Sequence, residues 1–360
     1  MRKKLVIFIL GLALLSGLTA GCSRRGGNAD VHVFYYTYSD TYISTVRSAL
    51  DRRLKDAGIS YQDYDANNSQ TTQTEQIQTA VTKGAKLLVV NIVTTGSDDA
   101  ATGILSLARS AGIPVIFFNR EVSDGVVNSY ENCIYVGTNA TEAGELQGDM
   151  IGDFLVRNFE KTDLNKDGKI SYVMFMGEKG NNEAIYRTRY SVENANKVLS
   201  ENGKPPLEFY DPSNADKFLL DKDGKWSAQA ANEYMTTALT TYNAANNNMI
   251  ELVICNNDNM AEGAITALQG AGFNTGAQNS VTIPVFGVDA IDAAKSLIRD
   301  GKMAGTITQD GGKMAECIEV IVENALAGDP LAKDIGDYTV DETVAKVRIP
   351  YGIYTGESNG

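Results

Sequence analysis

Oxygen-bearing groups recur at regular spacing in one short run of the chain. Those able to ligate a cation stand at positions 1, 3, 5, 7 and 9 of the run: Asp163, Asn165, Asp167, the carbonyl of Lys169, and Ser171. Gly168 occupies position 6, where a calcium-binding loop needs a sharp turn. Position 12 is Met174, which cannot ligate, so Glu251 is the candidate for the missing bidentate carboxylate. The spacing predicts a structural Ca²⁺ site, with a solvated acidic turn as the alternative.

A second set of polar side chains stands where strand-like runs end. Its members are Asp40, Asn119, Asn257, Asp289 and Gln309. Ligands of open α/β sheets bind at the carboxyl ends of the strands. Any one of these residues has a structural alternative, since Asp40, for example, precedes a helix and is suited to be its N-cap. Five such groups on five strands together predict a small-molecule site.

One apolar strand, residues 252–256, connects the two predicted sites. Glu251 precedes it and Asn257 follows it. At a rise of roughly 3.3 Å per residue, these two side chains lie about 20 Å apart. We therefore expect one rigid element to serve both the cation and the ligand.

Composition excludes several classes of function. The chain has 360 residues, which favours two domains, and a net charge of −13, which repels nucleic-acid phosphates. His32 is the only histidine and begins a strand, which excludes multi-histidine zinc sites and argues strongly against catalysis by a Ser-His-Asp triad. No nucleophile elbow or phosphate-binding loop is present, and we predict that the protein is not an enzyme. Cys133, Cys255 and Cys317 show no CxxC spacing, and no disulfide is predicted.

The N-terminus has the pattern of an export signal. Three basic residues at 2–4 precede an apolar run at 5–15 that is too short to span a bilayer as a helix. Small residues then lead to Cys22, as at a bacterial lipoprotein cleavage site. Residues 1–21 are therefore predicted to be a signal peptide, Cys22 the lipidated residue, and 22–29 a tether. A cleaved signal without lipidation is the alternative; in either case, no later segment is apolar enough to span.

Strand-like and helix-like runs alternate along the rest of the chain. The strand-like runs are 31–38, 87–93, 114–119, 134–137, 171–177, 252–256, 283–289, 304–309 and 347–354. Amphipathic runs with helical spacing lie between them. Such alternation is typical of doubly wound parallel sheets, and the length fits two of them. The predicted fold class is α/β, with two doubly wound parallel-sheet lobes.

Several motifs in the same order resemble those of a known family, the periplasmic galactose/glucose-binding proteins that serve ABC sugar importers and chemoreceptors. The motifs are residues 38–42, 115–119, the calcium-type loop, 256–258 and 283–289. The resemblance extends in register over residues 31–354. It implies a type I periplasmic binding protein fold, with two lobes joined by three hinge segments near 136–139, 308–311 and 347–351. The implied domains are 30–137 with 310–347, and 138–309 with 348–360.

The resemblance also implies which side chains contact a sugar. Six positions match the family: Asp40, Asn119, Arg187, Trp226, Asn257 and Asp289. Four depart from it: Tyr42 replaces a Phe, Asn181 a His, Glu183 an Asp and Gln309 an Asn. In the implied metal site, Glu251 matches the family's carboxylate, whereas Ser171 replaces a longer amide side chain.

The implied function is capture of a hexose, D-glucose and/or D-galactose, by a monomeric lipoprotein outside the cytoplasm. The implied partners are an ABC permease and a chemoreceptor, and the membrane is contacted through the anchor alone. Carboxylates, amides and a guanidinium suit sugar hydroxyls, which both donate and accept, and aromatic rings suit the C–H faces of a pyranose. A pentose- or nucleoside-binding protein is the main alternative. A glycoside-cleaving enzyme using Asp40 and Asp289 is a further one.

Overall fold

The computed structural model describes residues 29–356. The predicted signal peptide, the lipidation site at Cys22 and most of the tether lie outside the described residues, and they stay predictions. Among residues 29–356, no helix combines the length and the apolar character that a membrane span requires.

The first part of the described chain alternates strands with helices. Its strands are β1 (Val31–Tyr35), β2 (Tyr61–Asp65), β3 (Leu87–Val90), β4 (Val115–Phe118) and β5 (Cys133–Gly137). The helices between them are α1 (Thr41–Asp56), α2 (Gln70–Thr82), α3 (Asp99–Ala111) and α4 (Asp124–Asn128). Each strand is short and mostly buried, except β2 at the sheet edge, whose residues are partly exposed.

The chain then crosses to a second sheet. Its strands are β6 (Ser171–Met176), β7 (Glu208–Phe209), β8 (Leu219–Leu220), β9 (Leu252–Cys255), β10 (Val285–Asp289) and β11 (Gly305–Gln309). The helices of this part are α5 (Ala140–Thr162), α6 (Asn182–Glu201), α7 (Ala228–Thr241), α8 (Asp258–Gly270) and α9 (Asp292–Arg299), with a 3₁₀ turn at Ala244–Asn246.

Two further crossings complete the molecule. Helix α10 (Gly311–Ala327) leads back to the first sheet, where β12 (Thr339–Val340) and β13 (Lys346–Arg348) pair, and β14 (Tyr351–Tyr354) ends in the second sheet. The sheet orders are β12-β13-β5-β4-β3-β1-β2 and β14-β11-β10-β9-β6-β7, with β8 also beside β6. All pairs are parallel except β12 with β13 and β11 with β14. The predicted fold class of two doubly wound lobes is confirmed.

Apolar side chains cover both faces of each sheet, which explains why the central strands are continuously hydrophobic. In the first lobe, one cluster joins β1, α1 and α10, and the other joins β3, β4 and α3. In the second lobe, one cluster joins β9, α7 and α8, and the other joins β6, β10 and α5. The carboxyl ends of the strands therefore lie on rigid cores.

The prediction of one last strand over residues 347–354 is wrong. The chain leaves the first sheet after Arg348, which pairs with Gly137, and it enters the second sheet at Tyr351. The Ile349 N–H still bonds to the Gly137 carbonyl at 2.7 Å, but Pro350 has no N–H to continue the ladder. Arg348 thus belongs to the first sheet, one residue beyond the predicted domain boundary.

A polar cluster lies beside β2 in the first lobe. Asp63 on β2 faces Asp51 and Arg47 of α1, near Tyr35 and Tyr38. Buried atoms of four of these side chains, including one carboxylate oxygen of each aspartate, have no hydrogen-bond partner among residues 29–356. Burial, aided by the nearby Asp51 and opposed by Arg47, raises the pKa of Asp63 to about 8.

We expect this cluster to lower stability as the pH rises from about 4 to 8. Within that window Asp63 keeps its proton in the folded protein and loses it in the unfolded chain, so rising pH favours unfolding. In Asp63→Asn, the fall in melting temperature between pH 5 and pH 8 should be smaller than in the wild type. Asp56→Asn, at an exposed position of α1, is the control. Equal falls in both variants would contradict the assignment.

Candidate ligand site

A cavity lies between the two lobes, at the carboxyl ends of their strands. The first lobe contributes Tyr36, Asp40, Tyr42, Ile43, Asn119 and Arg120, and the second contributes Asn181, Glu183, Arg187, Trp226, Asn257, Asp289 and Gln309. The structure thus brings all ten ligand-site residues predicted from the sequence into one cavity. Sequence reasoning missed Tyr36, Ile43 and Arg120, although Arg120 directly follows a strand-end Asn and could have been found from that position.

Asp40 is both a helix cap and part of the cavity wall. One of its carboxylate oxygens accepts from the Ile43 N–H at 2.7 Å and so caps α1. The other accepts from the Tyr36 hydroxyl at 2.6 Å. The structural and the functional interpretations of Asp40 are therefore compatible, because a strand-to-helix turn places the capping side chain at the cleft.

Helix capping at a strand-to-helix turn also positions two side chains of the second lobe. Asn181 caps α6 through the Ala184 N–H at 3.1 Å, and its amide donates across the cleft to Thr95 at 3.2 Å. Asn257 caps α8 through the Met260 N–H at 2.9 Å. Each is fixed by its helix before any ligand arrives, which lowers the entropy cost of binding.

Three residues of the cavity wall have unusual backbone conformations. Asn119 and Trp226 have φ values of 60° and 54°, and Asp289 has a φ of 121°. Positive φ is uncommon outside glycine and costs free energy that the surrounding structure must compensate. The Tyr135 hydroxyl holds the carbonyl of Asn119 at 2.8 Å. At these three positions the backbone directs a side chain toward the cavity at a cost in folding stability.

Arg187 on α6 is the central cation of the cavity. Its guanidinium donates to the Asn256 carbonyl at 2.9 Å, to the Gln309 side chain at 3.2 Å and to the Tyr351 hydroxyl at 2.9 Å. The carboxylate of Asp289 lies 4.0 Å away. Burial raises the pKa of Asp289 well above its usual range, against the opposing effect of Arg187.

Several buried polar atoms of the cavity have no hydrogen-bond partner within the described protein. They are both carboxylate oxygens of Glu183, the Nε of Arg187 and the Nε2 of Gln309. Burial raises the pKa of Glu183, with a further contribution from Glu121. An unsatisfied buried polar group costs about 1–3 kcal/mol. A ligand with both hydrogen-bond donors and acceptors would satisfy these atoms and so gain binding free energy that an apolar ligand could not provide.

Two aromatic side chains flank these polar groups. The indole of Trp226 rests on Gly177, where an added Cβ would lie only 2.1 Å from indole Cδ2, and its Nε1 donates to Glu178 at 3.3 Å. Tyr42 lines the cavity and also packs in the apolar core, with its hydroxyl 3.8 Å from the sulfur of Met314. Both rings are buried, and both present apolar surface to a ligand.

The calcium-type loop and Glu251 lie together, as the sequence predicts. Glu251 is 1% exposed, and its carboxylate accepts from the N–H groups of Leu164 at 2.6 Å and Ser171 at 3.1 Å. Burial raises its pKa, and these amide contacts oppose that shift. The Asp163 carboxylate accepts from loop N–H groups at 3.2 and 3.0 Å, while the Ser171 hydroxyl donates to the Met249 carbonyl.

Hard oxygen donors from one loop and one buried carboxylate fit the chemistry of Ca²⁺. In this arrangement the loop carboxylates face backbone N–H groups, and within residues 29–356 no three His, Cys, Asp or Glu side chains converge as metal ligands. The donor set is therefore present, but it is held in contacts with the loop backbone. The second Asp-rich turn, at residues 221–224, is structural, because Asp221 accepts from the N–H and hydroxyl of Ser227, each at 2.9 Å.

Comparisons with known proteins agree with this architecture. The family model described as periplasmic binding protein domain matches residues 31–329. The D-galactose/methyl-galactoside binding periplasmic protein MglB of Haemophilus influenzae is 34% identical over 354 residues, covering 98% of this chain and 96% of that protein.

Two solved structures share the fold. An ABC transporter solute binding protein from Clostridium phytofermentans with bound β-D-glucose has a TM-score of 0.69 at 24% identity, covering 91% of this chain and 94% of that one. A solute binding protein from Bacillus halodurans with bound myo-inositol has a TM-score of 0.68 at 24% identity, covering 92% and 95%.

Proposed function

Because the chain belongs to the periplasmic binding protein family, we propose that it captures a hexose, D-glucose and/or D-galactose, between its lobes and delivers it to an ABC importer. Proteins of this family bind and carry substrates outside the cytoplasm, and they are not enzymes. The unpartnered buried atoms of Glu183, Arg187 and Gln309 carry the proposal. They form a set of donors and acceptors beside an indole, which suits a neutral polyhydroxylated ring.

The chemistry of the cavity wall and the nature of a relative support a hexose. A relative that is 34% identical over nearly the whole chain is described as binding D-galactose and methyl-galactoside. The carboxylates can accept from ring hydroxyls, and the amides and guanidinium can donate to them, in charge-assisted bonds.

The mechanism follows from the two-lobe arrangement. A ligand that contacts both lobes binds the closed state more tightly than the open one, so binding shifts the population toward closure. Three chain crossings allow such a motion, at Gly137–Ala140, Gln309–Gly311 and Arg348–Tyr351. Closure is then the signal that a permease recognises. Recognition by a chemoreceptor and a monomeric state stay predictions.

Titration calorimetry with glucose, galactose, ribose and a nucleoside tests the proposal. A hexose should bind with the lowest Kd, because it can satisfy the most unpartnered groups in the cavity. Tightest binding of ribose or of the nucleoside would support the alternative ligand classes instead. Flat heats with all four, on protein shown to be folded and ligand-free, would overturn sugar binding.

We also propose that Asp163, Asn165, Asp167, the carbonyl of Lys169 and Glu251 hold a structural Ca²⁺ ion. The buried Glu251 carboxylate supports this, because it only accepts and already lies against the loop. When bound, the ion would neutralise carboxylates that otherwise repel one another. Ser171 is a weaker candidate, since its hydroxyl bonds to Met249.

Removal of the Glu251 charge tests the metal site. Glu251→Gln should lower the melting temperature by several degrees in calcium, because one charged ligand is lost while the N–H contacts remain possible. In chelator, the variant and the wild type should melt at similar temperatures. Asp223→Asn, in the second Asp-rich turn, is the control with no expected calcium effect. Equal shifts with and without calcium would count against the site.

A further inference from the structure

One ion pair joins the two lobes at the edge of the cavity. Arg120 follows β4 in the first lobe, and Glu178 follows β6 in the second. The Nη2 of Arg120 lies 2.8 and 2.7 Å from the two carboxylate oxygens of Glu178. We propose that these two residues, here called the closure pair, hold the lobes together over the ligand and set its affinity; the inference rests on the proposed binding function.

The arginine of the closure pair is fixed in the first lobe. Its Nε donates to the Ile92 carbonyl at 2.7 Å, and Nη2 donates to the Val93 carbonyl at 2.7 Å. The guanidinium also lies 4.4 Å from the centroid of the Tyr36 ring. These contacts all come from the same lobe, so they persist when the lobes separate. Glu178 is the partner that opening would remove.

The closure pair is strong enough to matter because Arg120 is buried and most of the Glu178 side chain is shielded from water. The side chain of Arg120 is 5% exposed and that of Glu178 is 18% exposed. Exposed ion pairs contribute little, whereas breaking a buried pair leaves a charge without compensation. In the open state, water can hydrate Glu178. The free energy that the pair contributes to closure is therefore smaller than the free energy lost when one partner is deleted. The pair therefore increases the fraction of molecules that are closed, but it does not prevent opening.

The closure pair is connected to proposed ligand contacts on both sides, by a hydrogen bond from Trp226 to Glu178 and by a cation–π contact between Arg120 and Tyr36. Glu178 accepts from the indole N–H of Trp226 at 3.3 Å. Tyr36, which lies under the guanidinium, donates to Asp40 at 2.6 Å. A continuous chain thus runs from Asp40 through Tyr36, Arg120 and Glu178 to Trp226, and it crosses between the lobes. A ligand that orders Asp40 and Trp226 would also favour formation of the ion pair.

The backbone near the closure pair shows how closely the lobes approach. A Cβ added to Gly180 would lie 3.2 Å from the Cα of Gly96 in the other lobe. Nearby, the Asn68 amide donates to the Asp223 carbonyl across the cleft at 3.2 Å. These contacts between the lobes surround the ion pair, so a separation of the lobes at this point would also part Arg120 from Glu178.

A double-mutant cycle measures the coupling of the pair. The variants are Glu178→Gln, which keeps an acceptor for Trp226, Arg120→Met, which keeps the aliphatic stem, and the two combined. Each single change should raise the Kd for the hexose at least about tenfold, chiefly by a faster dissociation rate. The Kd of the double variant should not exceed the higher of the two single-variant Kd values, because the pair is lost only once. Additive effects, or an unchanged Kd, would overturn the proposal.

Arg53→Met is the matched control. Arg53 forms an ion pair of the same 2.7 Å length with Glu319, but both residues belong to the first lobe. Its removal should leave the Kd unchanged, because the pair forms equally in the open and closed states. A loss as large as that of Arg120→Met would show that the affinity follows general stability rather than closure, and it would overturn the assignment.

A measurement without ligand separates this proposal from the proposed function. Spin labels on cysteines introduced at Thr71 and Lys222, exposed positions on the two sides of the cleft, report the lobe separation. Three of the four native cysteines, Cys133, Cys255 and Cys317, are buried, and the fourth, Cys22, is replaced by serine in the labelled protein. In ligand-free protein, Glu178→Gln should shift the distance distribution toward longer values. An unchanged distribution would overturn the closure pair even if no hexose binds, whereas a shift without hexose binding would reject only the proposed ligand.

Discussion

Asp289→Ala is expected to abolish hexose binding while the protein stays folded. Asp289 is buried at the end of β10 and lines the cavity beside Arg187. Two charge-assisted hydrogen bonds to sugar hydroxyls are together worth about 3–6 kcal/mol, which raises the Kd on the order of 100- to 10,000-fold. Titration calorimetry measures this loss, and circular dichroism checks the fold.

The stability of the same variant provides a second test. Burial raises the pKa of Asp289, which means that ionising this carboxyl costs more free energy in the folded protein than in the unfolded chain. Removal of the carboxylate should therefore not lower the melting temperature in the absence of sugar. Asp289→Asn, which keeps the size, should also lose affinity, whereas Asp292→Ala, an exposed acid three residues later, should not. An unchanged Kd in Asp289→Ala would remove this residue from the site.

Gly177→Ala is expected to weaken binding by displacing Trp226. A Cβ at residue 177 would lie 2.1, 2.2 and 2.7 Å from three atoms of the indole, which no real packing allows. Overpacking of this kind typically lowers the free energy of unfolding by about 1–3 kcal/mol. To relieve the clash, the indole must shift into the cavity or away from it. A rise in Kd of roughly 10- to 100-fold should follow. Because Trp226 is the only tryptophan, its fluorescence emission should change in ligand-free protein as well.

Gly270→Ala is the control for this substitution. Gly270 is exposed near the end of α8, and an added Cβ there meets no atom within 4 Å. Its affinity and emission should match the wild type. If Gly177→Ala also bound with the wild-type Kd, the indole would not form a wall of the site.

Much of the fold was predictable because its central strands are apolar on both faces. The family prediction is confirmed by the match over residues 31–329, and the strands near 87–93, 114–119 and 252–256 were found within a few residues of their ends. β2 was missed, since its sequence YQDYD is polar and its residues are only partly buried. The two-residue strands β7, β8 and β12 were also missed, because they are too short to show a period.

The division of residues 347–354 between two sheets could not be predicted from local pattern. Both halves have residues suited to strands, and only the pairing partners differ: β13 pairs with β5, and β14 with β11. Pro350 signals a break, but a break within one strand and a crossing between lobes give the same local signal.

The sequence by itself predicted ten of the residues that line the cavity between the lobes. The pattern of strand ends alone predicted Asp40, Asn119, Asn257, Asp289 and Gln309, and resemblance to a known family supplied Tyr42, Asn181, Glu183, Arg187 and Trp226. The tertiary structure decided which groups meet across the cleft. Arg120 and Glu178 are separated by 58 residues and lie in different lobes, and nothing in their surroundings along the chain marks them as partners. The physical reason is that capping depends on the next turn of the backbone, whereas an inter-lobe contact depends on how two independently packed sheets are oriented.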